Sequence, residues 1–150
     1  MRKIYFYCLI IPLTILFLAS CQSTPQSVDQ SWTEDIFFRS AQDAVDTGNL
    51  ETALCYYEVF LIRFPEDHAK GIAAEYERAL LHSKLGEEEL AVAELKEILN
   101  KYENSTYVIL YPPRYKILAE KVLASLEGTP LPEADPEKYP ARQTTGPAGK

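Results

Sequence analysis

The sequence is short of the residues from which catalytic centres are usually assembled. It has two histidines, three cysteines and one tryptophan in 150 residues. It holds no glycine-rich phosphate loop, no Gly-x-Ser-x-Gly, no His-Glu-x-x-His and no Cys-x-x-Cys. That removes the motif-borne readings of nucleotide binding, acyl hydrolysis, zinc proteolysis and dithiol exchange. His68 and His82 stand far apart, with no cysteine at ligand spacing, and read as ordinary helix-surface residues rather than metal ligands. No enzyme, metal or cofactor is expected. Basic residues are also scarce, 15 against 22 acids, for a net charge of −7. Repulsion from phosphates argues against nucleic acid and anionic headgroups as partners. Sustained strand alternation is missing too, and the one candidate, 107–111, is too short to decide.

The N-terminus is better provided. Met1-Arg2-Lys3 is basic, and Ile4 to Leu18 is apolar, with Thr14 its one polar side chain. Small residues follow at Ala19 and Ser20, which is the order of a secretory signal. The apolar run is shorter than the ~20 residues a membrane-crossing helix needs. The junction Leu18-Ala19-Ser20-Cys21 resembles the lipobox of bacterial lipoproteins. The resemblance implies cleavage before Cys21 and acyl chains, palmitate among them, on that residue; a plain cleaved signal with an incidental cysteine is the alternative. Several acyl chains hold a protein on a membrane where one does not. Gln22 stands where an Asp would favour retention in the inner membrane. The outer membrane, facing the periplasm, is therefore favoured over the plasma membrane. Arg2 and Lys3 leave with the signal, so 13 bases face 22 acids in the mature chain. Cys8 leaves as well, Cys21 takes lipid, and Cys55 remains as a part-buried, inert thiol.

The remaining chain divides by composition. Residues 21–31 are rich in Ser, Thr, Gln and Pro and read as a flexible tether. Residues 128–150 are rich in proline and cannot form a core, so a disordered or extended tail is expected. The span 32–127 has helical spacing throughout. Ser31-Trp32-Thr33-Glu34 fits a capping box. Ile36, Phe37, Ala41, Ala44 and Val45 mark a first helix that stops at Gly48. Leu50, Ala53, Leu54, Tyr57, Phe60, Leu61 and Phe64 mark a second, ended by Pro65. A third runs from about Asp67 to Leu85, with Ile72, Ala73, Tyr76, Ala79, Leu80 and Ser83 inward. A fourth carries Leu90, Ala91, Leu95, Ile98, Leu99 and Tyr102, and Glu87, Glu88 and Glu89 complement its dipole. Asn104-Ser105-Thr106 reads as a turn. Pro112-Pro113 opens a fifth helix with Tyr115, Leu118, Ala119, Val122 and Leu126 on one face.

The span also repeats itself. Gly48-Asn-Leu-Glu-Thr-Ala53 and Gly86-Glu-Glu-Glu-Leu-Ala91 share a Gly-x4-Ala spacing at an offset of 38 residues. Tyr57 and Pro65 follow the first alanine, and Leu95 the second. This resembles the second helix of the tetratricopeptide repeat, A-x3-F…P. The first-helix signature survives only in Phe37 and Ala41, and in Ala79 of the second repeat. The longer period is similar to that of bacterial envelope lipoproteins, the outer-membrane β-barrel assembly lipoprotein family among them. The resemblance implies an all-α fold: two tetratricopeptide-like hairpins with the fifth helix as a cap.

It also implies a function. In such repeats the first helices line a groove for extended peptides, and alignment places Phe38, Gln42, Tyr76 and Leu80 on it. The expected protein is a lipid-anchored protein–protein interaction module of the cell envelope, serving outer-membrane or cell-wall assembly. Its partners would be envelope proteins, bound through extended segments, and the membrane itself through Cys21. The alternative is an accessory lipoprotein that oligomerises and handles a small ligand for a transporter. An oligomeric pocket would favour the second reading, and a monomer with a groove the first.

Overall fold

The computed structural model describes residues 28–130. The signal segment, Cys21 and most of the proline-rich tail lie outside the described residues. Within them the chain forms five α-helices and no strand. They are α1 (Glu34–Asp46), α2 (Leu50–Arg63), α3 (His68–Lys84), α4 (Glu88–Asn104) and α5 (Arg114–Glu127), with a 3₁₀ turn at Val108–Leu110. Each helix packs on the next, and α5 also reaches α3. The result is two helical hairpins in succession and a C-terminal helix against the second.

The two hairpin turns are built alike. Gly48 has φ +78° and Gly86 has φ +83°. The N–H of each glycine bonds to the carbonyl three residues back, Val45 or Ser83. The next N–H, of Asn49 or Glu87, reaches Ala44 or His82. That double closure needs a left-handed residue at the glycine, a conformation any Cβ disfavours. Five residues later Ala53 and Ala91 are both fully buried, where a larger side chain would force the helices apart. The 38-residue sequence repeat is thus a repeat in backbone geometry.

The core has two lobes. Phe37, Ala41, Tyr56, Tyr57, Phe60, Ala74 and Leu81 belong to the first; Ile72, Ala73, Tyr76, Ala79, Leu95, Ile98, Tyr115 and Ala119 to the second. Phe38, half-buried, packs against both. The middle helix α3 feeds both lobes, so it needs two buried faces.

Several expectations are corrected. The first helix begins at Glu34 with Thr33 as its N-cap, and no side chain caps it. Ser31 is therefore not a capping-box residue; its N–H instead bonds to the Asp29 carboxylate at 2.9 Å. Residues 28–31 are not free tether: Val28 packs on the first lobe, and Arg63 Nη1 donates to the Asp29 carbonyl oxygen at 2.9 Å. Ile36, Leu90 and Leu118 are exposed, not core. All three lie in the first two turns of their helices, near the ends of the stack. His82 is 7 % exposed and so not a surface residue.

Candidate functional site

Of the four residues expected to line a groove, the structure leaves one fully open. Gln42 is exposed, and its Nε2 donates to Asp46 at 3.0 Å. Tyr76 is 6 % exposed, with its ring centroid 5.6 Å from that of Tyr115 on α5. The C-terminal helix thus covers the face that the groove would need. Leu80 is half-buried against the second lobe. Phe38 meets Tyr57 and Phe60 edge-on, at 5.4 and 5.1 Å. It is a packing residue, and the assignment of Phe38 and Tyr76 to a binding surface is corrected accordingly.

The structure opens a different concavity. A cleft of about 440 Å³ lies between the end of α2, the flank of α3 and the stretch of α4 from Glu94 to Lys101. Leu61, Phe64 and Pro65 form an apolar wall. The floor is the α3 stripe His68, Gly71, Ile72, Glu75 and Arg78, spaced three and four apart so that all share one face. Glu94, Glu97, Ile98 and Lys101 of α4 make the far wall, on the same spacing, and Tyr111 closes one end. Four carboxylates, those of Asp67, Glu75, Glu94 and Glu97, face two basic side chains, Arg78 and Lys101.

These charges are organised. Lys101 Nζ lies 2.6 Å from Glu75 Oε1 and 3.5 Å from Glu97 Oε1. Arg78 Nε lies 2.8 Å from Glu94 Oε1, yet off the line of a hydrogen bond, and Glu94 Oε2 has no hydrogen-bond partner among the described residues. Burial pushes the Glu94 carboxyl above the ordinary carboxylate range, while Arg78 and His82 pull it back. His82 Nε2 is 3.7 Å from the same Glu94 oxygen, and its Nδ1 is 2.5 Å from Glu87 Oε2. Glu87, the N-cap of α4, thus ties down a buried imidazole besides facing the helix dipole. At the other end of α3, His68 stacks on Tyr107 at 3.9 Å.

The cleft's charged stripes were present in the sequence as Glu75 and Arg78 on one helix and Glu94, Glu97 and Lys101 on the next. Read helix by helix, they look like two solvated faces. Only the antiparallel pairing of α3 and α4 turns them toward each other. Cys55 is half-buried, and burial, with Glu58 nearby, raises its thiol pKa, which disfavours the reactive thiolate. Among the described residues no group of three or more His, Cys, Asp or Glu could hold a metal ion. No helix among them is long and apolar enough to cross a membrane.

Comparison with known proteins adds one relationship. The chain is 36 % identical over 107 residues to an uncharacterized protein of Treponema pallidum (strain Nichols). The match covers 70 % of this chain and 43 % of that protein, so the chain spans less than half the relative's length. No protein-family profile matches the chain. No solved structure matches it either.

Proposed function

We propose that this chain is a lipid-anchored interaction module of the bacterial cell envelope, and that the α2–α3–α4 cleft holds an extended segment of a partner protein. The observation that carries the reading is the cleft itself. It combines an apolar wall with four carboxylates against two basic groups, in a volume of about 440 Å³. That lining suits a peptide that presents an apolar side chain beside a lysine or arginine. The repeat of hairpins, resembling tetratricopeptide units, supports a scaffold role, and Cys21 supplies the anchor by its lipobox context. Envelope assembly, at the outer membrane or the cell wall, is the setting the resemblance suggests. The transporter-accessory reading is less favoured, because pockets for small ligands are lined mainly by apolar side chains.

Two measurements test this. A photo-crosslinking residue in place of Glu97, in intact envelopes, should capture a discrete protein, and the same residue in place of Gln42 should not. Equal capture at both positions would reject the cleft. For the anchor, cells making Cys21→Ala should lose both fatty-acid labelling and membrane retention of the protein. A variant that still takes up label would reject lipidation at this residue.

A further inference from the structure

The large apolar side chains left exposed are not spread over the surface. Among the described residues they are Ile36, Ile62, Leu90, Tyr107, Val108, Ile109, Leu110 and Leu118. Ile36 lies in the first turn of α1 and Ile62 in the last turn of α2, which the antiparallel hairpin brings to one end. The 3₁₀ turn between α4 and α5 is at that end too: His68, the first residue of α3, stacks on Tyr107. Six of the eight therefore share one end of the helical stack. Ile109 is 88 % exposed and Ile62 81 %. Residues 105–113, Ser-Thr-Tyr-Val-Ile-Leu-Tyr-Pro-Pro, carry no charge.

The chain also enters at this end. Arg63, the last residue of α2, holds the Asp29 carbonyl, so the backbone at 28–29 lies beside the end of α2 next to Ile62. From Cys21 to Val28 is seven residues, which span at most about 25 Å fully extended. An acyl anchor at Cys21 would keep this end of the stack close to the bilayer surface.

We propose that the Tyr107–Leu110 turn inserts into the interface of the membrane that carries the anchor, with Ile109 deepest. The inference rests on the anchor reading above and adds an orientation to it. Tyr107, half exposed beside the apolar residues, is the kind of amphipathic ring favoured at headgroup level, while Tyr111 is packed on Tyr102 and anchors the turn to the fold. Binding at a membrane interface scales with buried apolar area plus attraction to anionic lipid, and with no charge in 105–113 the first contribution carries it here. Of the acids at this end, Glu34 and Asp35 are matched by Lys70, whose Nζ lies 2.8 and 2.9 Å away, whereas the exposed Glu66 and Glu103 make no salt bridge among the described residues and set this end against anionic lipid. The surface it fits is zwitterionic, and the contact is insensitive to salt. The cleft opens beside this turn through Tyr111.

The test uses the acylated full chain, purified from membranes and placed in phosphatidylcholine vesicles. Ile109→Trp adds a fluorophore at a fully open position, and Leu90→Trp adds one in the first turn of α4, at the opposite end. Bromines on the lipid acyl chains should cut the added emission of Ile109→Trp by half or more and leave that of Leu90→Trp unchanged, in low and high salt alike. An unquenched Ile109→Trp on protein that stays with the vesicles overturns the insertion and leaves the anchor standing. A chain that carries no acyl group and washes off overturns both. An emission shift at position 109 that grows with protein concentration without vesicles would mean that a second copy covers the turn, and the inference fails.

Discussion

Arg78 and Glu94 face each other across the α3–α4 seam at 2.8 Å, with the carboxylate side chain only 12 % exposed. Removing one partner of such a pair leaves a buried charge uncompensated, which costs more than the pair itself contributes. Arg78→Met should therefore destabilise the domain by roughly 2–3 kcal/mol, below the cost at a fully buried pair because Arg78 keeps some solvent contact. Arg78→Met with Glu94→Leu should recover most of that loss. Urea unfolding of the two variants separates the cases; a single variant as stable as the parent would show that Glu94 finds solvent instead.

The hairpin glycines make a cleaner test of the repeat. A Cβ at Gly48 or Gly86 would meet no atom within 4 Å, so substitution there acts through backbone strain alone. Gly48→Ala and Gly86→Ala should each cost about 1–2 kcal/mol, and asparagine in either place less. Thermal melts of the four variants suffice. Clearly unequal costs at the two glycines would show that the turns are not equivalent.

The helices were legible because Gly48, Pro65, Gly86 and Pro112-Pro113 punctuate a steady 3.6-residue period. The all-α class and the hairpins followed from that. What a single stripe of apolar residues cannot show is a helix with neighbours on both sides. In α2 and α3 this hid Tyr56, Ala74, Leu81 and His82, all buried outside the expected stripes. The cap of α1 was misplaced because Ser31 bonds to Asp29, a local turn that competes with the helix start. The cleft was illegible for a related reason. Its α3 and α4 walls carry charged stripes, and charge on an amphipathic helix ordinarily means solvent.

Phe38 separates the alignment-based groove from the observed packing. Its ring meets Tyr57 and Phe60 and belongs to the contact between the two lobes. Phe38→Ala should thus lower stability by roughly 2–4 kcal/mol, while Gln42→Ala stays within about 0.5 kcal/mol of the parent. Denaturant unfolding, followed by far-ultraviolet circular dichroism, reads both. Intact stability in Phe38→Ala would return that side chain to the list of surface residues open for binding.

The last expectation concerns pH. Glu77 sits on α3 between Ala74 and Leu81, three residues after one and four before the other, and both of those belong to the first lobe. Burial raises its carboxyl pKa above the ordinary 4.5, and Lys84 offsets this only in part. A raised carboxyl binds its proton more tightly folded than unfolded, so the ionised form is the costly one. Stability relative to a permanently neutral side chain must then fall as pH climbs through 4.5 to the raised value, and stay level above it. Glu77→Gln keeps the shape and removes the charge. It should match the parent below pH 4.5 and exceed it at neutral pH, by on the order of 1 kcal/mol for relief of one partly desolvated charge. Asp35, exposed and held low by Lys70, is the control, because its replacement by Asn should shift stability little at either pH. Chemical denaturation across that range decides the matter: a gap between Glu77→Gln and the parent that widens as pH falls would have the wrong sign for a desolvated carboxylate.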